Sequence, residues 1–70
     1  MQIENILVVC VGNICRSPMA EYLIKQQHPQ LNIDSAGLSA MVGHAADDKA
    51  IACMDTLNID MRSHIAKQIS

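Results

Sequence analysis

The chain has no tryptophan and no phenylalanine, and Tyr22 is its one aromatic residue. A core made without aromatic rings must come from Ile, Leu, Val, Met and Ala, which with the other hydrophobic residues reach 50% of the chain. Such aliphatic side chains suit the packed layers of an α/β domain. Long hydrophobic runs are also missing. The longest, residues 6–11, falls far short of the roughly 20 residues of a membrane span, and no basic segment precedes it as in a secretion signal. A cytoplasmic protein with no membrane partner is expected. Five basic residues against seven acidic ones give a net charge of −2. With no basic run and no basic–aromatic interleaving, nucleic acid is not an expected partner.

Three cysteines are an odd number in a chain without a secretion signal, so a disulfide framework does not explain them and reduced, reactive thiols are expected. The cysteines and histidines do not form Cys-x2-Cys or His-x3-His pairs, which argues against zinc. Seventy residues make at most one small domain. A chain this short buries only about 60% of its unfolded surface, and it is read as part of a fold rather than a whole one.

Residues 3–9 are β-rich and nearly continuous in apolar character after Asn5, the pattern of a central parallel strand covered on both faces and ending at Cys10. Ser17 fits an N-cap, Pro18 the first helical position and Glu21 the first turns, where a carboxylate favours the helix dipole. These predict a helix over residues 18–27, closed by His28-Pro29. Residues 31–35 read as a second short strand and 37–43 as a loop. Asp47 or Asp48 then caps a helix running to about residue 57, with Ala50, Ile51, Met54 and Leu57 on one face and Cys53 in the core. Residues 58–70 are polar and irregular, with one further turn near 63–69. The order strand, helix, strand, helix implies a βαβ unit with a right-handed crossover, although two strands do not complete a doubly wound sheet.

The chemistry is concentrated between the first strand and the first helix. Cys10 lies at the strand exit, Arg16 follows six residues later, and Gly12, Asn13 and Ser17-Pro18 lie around them. Backbone N–H groups of Val11, Gly12, Asn13, Ile14 and Cys15, together with a helix N-terminus, suit a tetrahedral oxyanion. Gly12 allows a close approach or a positive φ, and Asn13 is expected to brace the loop by bonds to its own backbone. Arg16 is suited to a bidentate oxyanion clamp. The helix N-terminus and Arg16 lower the pKa of Cys10, making it a nucleophile, and Ser17 is placed to donate to its thiolate. Cys15 is near enough to form a reversible disulfide with Cys10 after oxidation. A lone Cys-x5-Arg is weak evidence against a plain buried cysteine at a strand end, and it is the complete string that favours a phosphate cradle. Leu38 and Met41 fit either the core or the rim of a pocket.

From Cys10 to Pro18 the sequence resembles the low-molecular-weight protein tyrosine phosphatases, whose signature is Cys-x-Gly-Asn-x-Cys-Arg-Ser-Pro. The resemblance continues through Met19-Ala20-Glu21, Asp34-Ser35-Ala36-Gly37, residues 43–47 and Ala66-Lys67-Gln68-Ile69, and so spans the chain. It implies the N-terminal βαβα part of a doubly wound parallel-sheet α/β fold. Cys10 then forms a phosphocysteine, Arg16 clamps phosphate, and Ser17 stabilises the thiolate. Asn13, Ser35 and His64 fall where the family holds the loop in shape, and Leu38 and Met41 where it has a variable substrate wall. An aliphatic wall is similar to the bacterial branch acting on tyrosine kinases of exopolysaccharide export. A phosphotyrosine protein is the implied substrate, inorganic phosphate the product, and no metal or other cofactor takes part.

The chain also departs from the family. Residues 1–70 read as one partial domain, because the family's Asp-Pro-Tyr general acid has no counterpart; Asp47, Asp48, Asp55 and Asp60 lie in the wrong region. A missing general acid costs about 10²–10⁴ in rate, so impaired activity is expected. So is exposed apolar surface leading to partial disorder, self-association or domain swapping. Two alternatives remain open: an oxyanion-binding or dimerising remnant without useful turnover, and an arsenate reductase of the same fold. Pro18 and the absence of a later cysteine pair argue against the second.

Overall fold

The computed structural model describes residues 5–70; Ile3, expected to start the first strand, lies outside them. The described chain runs β1 (Asn5–Cys10), α1 (Arg16–Gln27), β2 (Asn32–Gly37) and α2 (Asp48–Asp55). The two strands pair in parallel, from Asn5 opposite Asn32 to Cys10 opposite Gly37. α1 packs on both strands and touches α2. The core is aliphatic: Ala46, Ala50, Met54, Ile59 and Met61 form one buried cluster, with Met19, Tyr22, Leu23 and Ile51 against it. Unbranched methionine fills the irregular space that aromatic rings would otherwise occupy, and Met54 and Met61 are fully buried.

β1 is not covered on both faces. Its side chains alternate between half-buried and exposed, and Leu7 and Val9 are 51% and 40% exposed. The Cα trace is only 15 Å along its shortest axis, the thickness of one sheet and one helical layer. The apolar run is thus the signature of a two-faced strand with only one face covered among the described residues.

α1 starts earlier than expected. Cys15 is its N-cap and supplies no side-chain cap; its carbonyl takes the first helical bond, from Met19 N–H at 3.1 Å. Ser17 and Pro18 are therefore the second and third helical residues, where an N–H has no helical partner and proline costs nothing. Ser17 is free to turn inward instead of capping. Glu21 is not in the first turn either; it lies one turn beyond Ser17, buried. The helix does end before proline, with His28 N–H bonded to Ile24 O at 2.7 Å.

β2 starts one residue later than expected and ends two later, so that it includes Gly37. α2 is capped by Asp47, whose carboxylate accepts from Lys49 N–H at 3.0 Å and Ala50 N–H at 3.3 Å. Asp47→Ala is expected to cost about 1 kcal/mol, measured as a fall of about 4–8 °C in melting temperature. The helix stops at Asp55, short of Leu57, which is 50% exposed. Cys53 is exposed rather than in the core, because it precedes Met54 and so sits about 100° round the helix from it. Residues 58–70 form neither helix nor strand: Asn58 is left-handed at φ 60°, and the further turn lies slightly earlier than expected, closed by His64 N–H on Met61 O at 3.1 Å. Ala45 bridges Ile65, Gly37 bridges Gln68, and Ile59, Met61, His64 and Ala66 are buried.

Candidate active site

The loop between β1 and α1 is held by its carbonyl groups. Cys10 O accepts from Leu38 N–H at 2.9 Å, Val11 O from Ser39 N–H at 2.9 Å, and Gly12 O from Met41 N–H at 3.0 Å. Asn13 O takes His64 Nε2–H at 2.8 Å. Ile14 O takes Asp47 N–H at 2.7 Å, and Cys15 O the Met19 N–H that opens α1. In a planar trans peptide the C=O of one residue and the N–H of the next point in opposite directions. Six carbonyls fastened outward therefore turn the N–H groups of residues 11–16 inward. They face a concavity of 510 Å³ lined by Val9, Cys10, Val11, Gly12, Ile14, Cys15 and Arg16.

Asn13 is the hub of this arrangement. It is fully buried and holds the left-handed backbone of the loop at φ 58°, a conformation asparagine tolerates better than most residues. Gly12, the expected site of positive φ, does not have it, and an added Cβ there would meet Ile14 and Met41 at ordinary contact distance. The Asn13 side chain does not bond its own backbone. Its Nδ2 donates to Ser17 Oγ at 2.8 Å and Ser35 Oγ at 3.0 Å, and its Oδ1 accepts from Lys67 N–H at 2.9 Å.

Cys10 Sγ lies 2.9 Å from Ser17 Oγ and accepts from Asn13 N–H at 3.3 Å. Burial pushes the thiol up, but the Ser17 hydroxyl and the backbone N–H groups of Ser17, Asn13 and Gly12 together outweigh it and hold the group below its usual range. Arg16 is exposed at the start of α1 and has no ion-pair partner among the described residues. Its guanidinium is free for an incoming anion.

Leu38 and Met41 serve the loop first through their backbone N–H groups. Their side chains are 63% and 45% exposed and do not line the concavity, which removes the core alternative. Close approach of residues 38–41 depends on Gly37, where a Cβ would stand 2.4 Å from Val11 O. Ser35 and His64 lie on β2 and the tail, both buried against Asn13. Sequence reasoning missed Glu21, which accepts from Ser35 Oγ, and Lys67, whose N–H orients the Asn13 amide. The one signal for Glu21 is its spacing of four from Ser17 and from Lys25, which puts the three on one helical face.

A larger cavity of 860 Å³ lies at the other end of the strands, and Lys25 and Asp34 are among its lining. Both are already paired, with Glu21 and Lys67. Among the described residues no three His, Cys, Asp or Glu side chains are placed to hold a metal ion, and no helix is long and apolar enough to cross a membrane.

The family model for low molecular weight phosphotyrosine protein phosphatases matches residues 5–70. The chain is 64% identical to the low molecular weight protein-tyrosine-phosphatase Ptp of Acinetobacter johnsonii, covering 100% of this chain and 49% of that protein. Among solved structures, the Erwinia amylovora tyrosine phosphatase AmsI is 45% identical with a TM-score of 0.95, over 99% of this chain and 46% of that one. The Escherichia coli K30 tyrosine phosphatase Wzb, solved in complex with sulphate, is 38% identical with a TM-score of 0.94, over 99% and 48%. The chain thus spans about half the length of the relatives it matches, and its βαβα arrangement is the corresponding part of their fold. A cysteine thiol ringed by inward backbone N–H groups, in a chain matched to this model across all its described residues, places the chain in the low molecular weight phosphotyrosine protein phosphatase family.

Proposed function

We propose that this chain carries the nucleophile and phosphate cradle of a phosphatase that hydrolyses phosphotyrosine in proteins through a phosphocysteine. The observation that supports it most is the outward anchoring of six successive carbonyls around the Cys10 sulfur, which leaves N–H groups inward where a tetrahedral anion would sit. The Cys10 thiolate attacks phosphorus, forming the S–P bond as the bond to the tyrosine oxygen breaks. The inward N–H groups and Arg16 hold the three equatorial oxygens, where charge builds in the transition state. Water then attacks phosphorus, the S–P bond breaks, and inorganic phosphate leaves. Ser17 stabilises the thiolate both as nucleophile and as leaving group.

The departing phenolate needs a proton, and among the described residues no carboxylate lines the concavity. Asp47 caps α2, Asp34 pairs with Lys67, and Asp55 and Asp60 pair with Arg62. Residues 1–70 are accordingly proposed as one partial domain without the general acid, slow on phosphotyrosine and faster on aryl phosphates with acidic leaving groups. Val11 lines the concavity, and the exposed Leu38, Met41 and Val42 lie outside its lining; these side chains support an aliphatic surface beyond the phosphate cradle, and with it a cytoplasmic bacterial tyrosine kinase as partner. The bare face of β1 favours a second reading, in which the chain binds oxyanions and self-associates through Leu7 and Val9 without useful turnover.

Acid-quenching the chain during turnover of para-nitrophenyl phosphate and mapping phosphate by mass spectrometry tests the first reading. A phosphoryl group on Cys10 is expected. Turnover with the group on another residue rejects it, and phosphate binding without turnover selects the second. Arg16→Lys is expected to lower kcat by about 10²–10³, because a point charge does not replace the bidentate fork. The melting temperature should stay unchanged, since the guanidinium is unpaired.

A further inference from the structure

The buried hydrogen bonds behind the loop run in one direction. The Lys67 N–H on Asn13 Oδ1 orients the amide so that its nitrogen faces the hydroxyls of Ser17 and Ser35. An amide nitrogen only donates, so neither serine can give its proton to Asn13. The Ser17 proton is left for Cys10 Sγ at 2.9 Å, and the Ser35 proton goes to Glu21 Oε1 at 2.5 Å. Glu21 is 5% exposed, and its other oxygen takes the Lys25 ammonium at 2.5 Å. It touches neither the loop nor the concavity.

We propose that Glu21 is a positioning residue for the chemistry at Cys10: by taking the Ser35 proton it holds the Asn13 amide in the orientation that directs the Ser17 hydroxyl to the sulfur. Its consequence for turnover rests on the phosphatase reading, whereas its effect on the thiol does not. Without an acceptor at position 21, the buried Ser35 proton is left unsatisfied, a cost of about 1–3 kcal/mol. Turning the Asn13 amide over relieves it by bringing Oδ1 to Ser35, at the cost of the part-buried bond from Lys67 N–H, which is left to solvent, and that oxygen then draws the Ser17 proton off the sulfur. The charged and titratable groups around this chain are Lys25 on α1, Asp34 on β2 with its partner Lys67, His64 on Asn13 O, and Arg16 at the loop. Among the described residues none of them bonds the Ser35 hydroxyl, whose partners are Asn13 and Glu21.

The test is the pH profile of iodoacetamide alkylation at Cys10, followed by mass spectrometry of its peptide, with thermal melts to confirm folding. Glu21→Leu is expected to raise the midpoint and slow alkylation at pH 7 about threefold to tenfold, whereas Ser35→Ala, which removes the proton that drives the turn, is expected to keep the wild-type midpoint and to restore it when combined with Glu21→Leu. Glu21→Gln, which keeps an acceptor for Ser35 but loses the ion pair with Lys25, is expected to retain the wild-type midpoint. A wild-type midpoint in Glu21→Leu, or equal shifts in the Leu and Gln variants, overturns the proposal. If Glu21→Leu does not fold, Glu21→Met takes its place, and an unshifted midpoint in Glu21→Met, or failure of Ser35→Ala to restore the midpoint in the double variant, overturns it. Because the readout is alkylation, absence of turnover would defeat the phosphatase reading while leaving this result intact.

Discussion

Cys10→Ser is expected to abolish hydrolysis of para-nitrophenyl phosphate, by at least about four orders of magnitude, while leaving the fold and anion binding in place. A serine hydroxyl keeps the geometry needed to accept from Ser17 and Asn13 N–H, so the melting temperature should barely move. It is a far weaker acid than a thiol, and the Cys10 thiol is held below its usual range by the same bonds. Anion binding should be as tight as in the native chain, or tighter, because the variant puts no negative sulfur beside the phosphate. Parallel measurements of turnover and of phosphate affinity by calorimetry separate the two effects. Equal turnover in both proteins would remove Cys10 from the reaction, and lost affinity would mean that the sulfur, not the backbone, holds the loop.

Asn13→Ala is expected to have the largest effect on stability. The side chain makes two buried hydrogen bonds, to Ser17 and Ser35, and accepts a part-buried one from the Lys67 N–H, and alanine leaves each partner short of one. It also places alanine at φ 58°, which costs roughly 1–2 kcal/mol. Together these predict a loss of about 3–5 kcal/mol, a large share of what a chain of this size has. Chemical denaturation should show it as a fall in midpoint. The Cys10 pKa should rise in any fraction that remains folded, since Ser17 loses the donor that directs its proton. Asn13→Asp keeps the acceptor for Lys67 and tolerance of the left-handed backbone but loses the two donors, and should fall between alanine and the native chain. Should alanine prove as stable as the native chain, the hub role assigned to Asn13 is wrong.

The residues of the candidate site could be read from the sequence, and Ser35 and His64 behind them from the resemblance, but the backbone supports, Glu21 and Lys67 could not. The strand exit at Cys10, the six-residue interval to Arg16 and the cap at Asp47 each depend on local chemistry, and local chemistry is written in neighbouring residues. Ser17 also stood out, and its bond to the Cys10 sulfur was legible even though its capping role was not. The bonds that shape the loop come from backbone N–H groups of Leu38, Ser39, Met41 and Asp47, and a backbone donor leaves no mark on residue type. Glu21 was misread because an acidic residue early in a helix usually serves the dipole, whereas this one faces inward. Cys53 and Leu57 went astray for the opposite reason, since an apolar side chain at helical spacing fits a buried stripe until the helix register and end are known. β1 shows the limit of hydrophobic pattern itself, which records that a strand is meant to be covered and not what covers it.

The anchoring of the loop has a kinetic meaning. Its supports are distant in sequence, His64 standing 51 residues from Asn13 and Lys67 54, and contacts of such separation are reached late because long loops must close first. Until β2, the turn after it, the head of α2 and the tail have all docked, the peptide planes of residues 10–15 are free to rotate and their N–H groups point in no common direction. The lowered pKa of Cys10 depends on those N–H groups, so it is expected to mature late in folding, and the pH midpoint of its alkylation should report that the distant segments are in place.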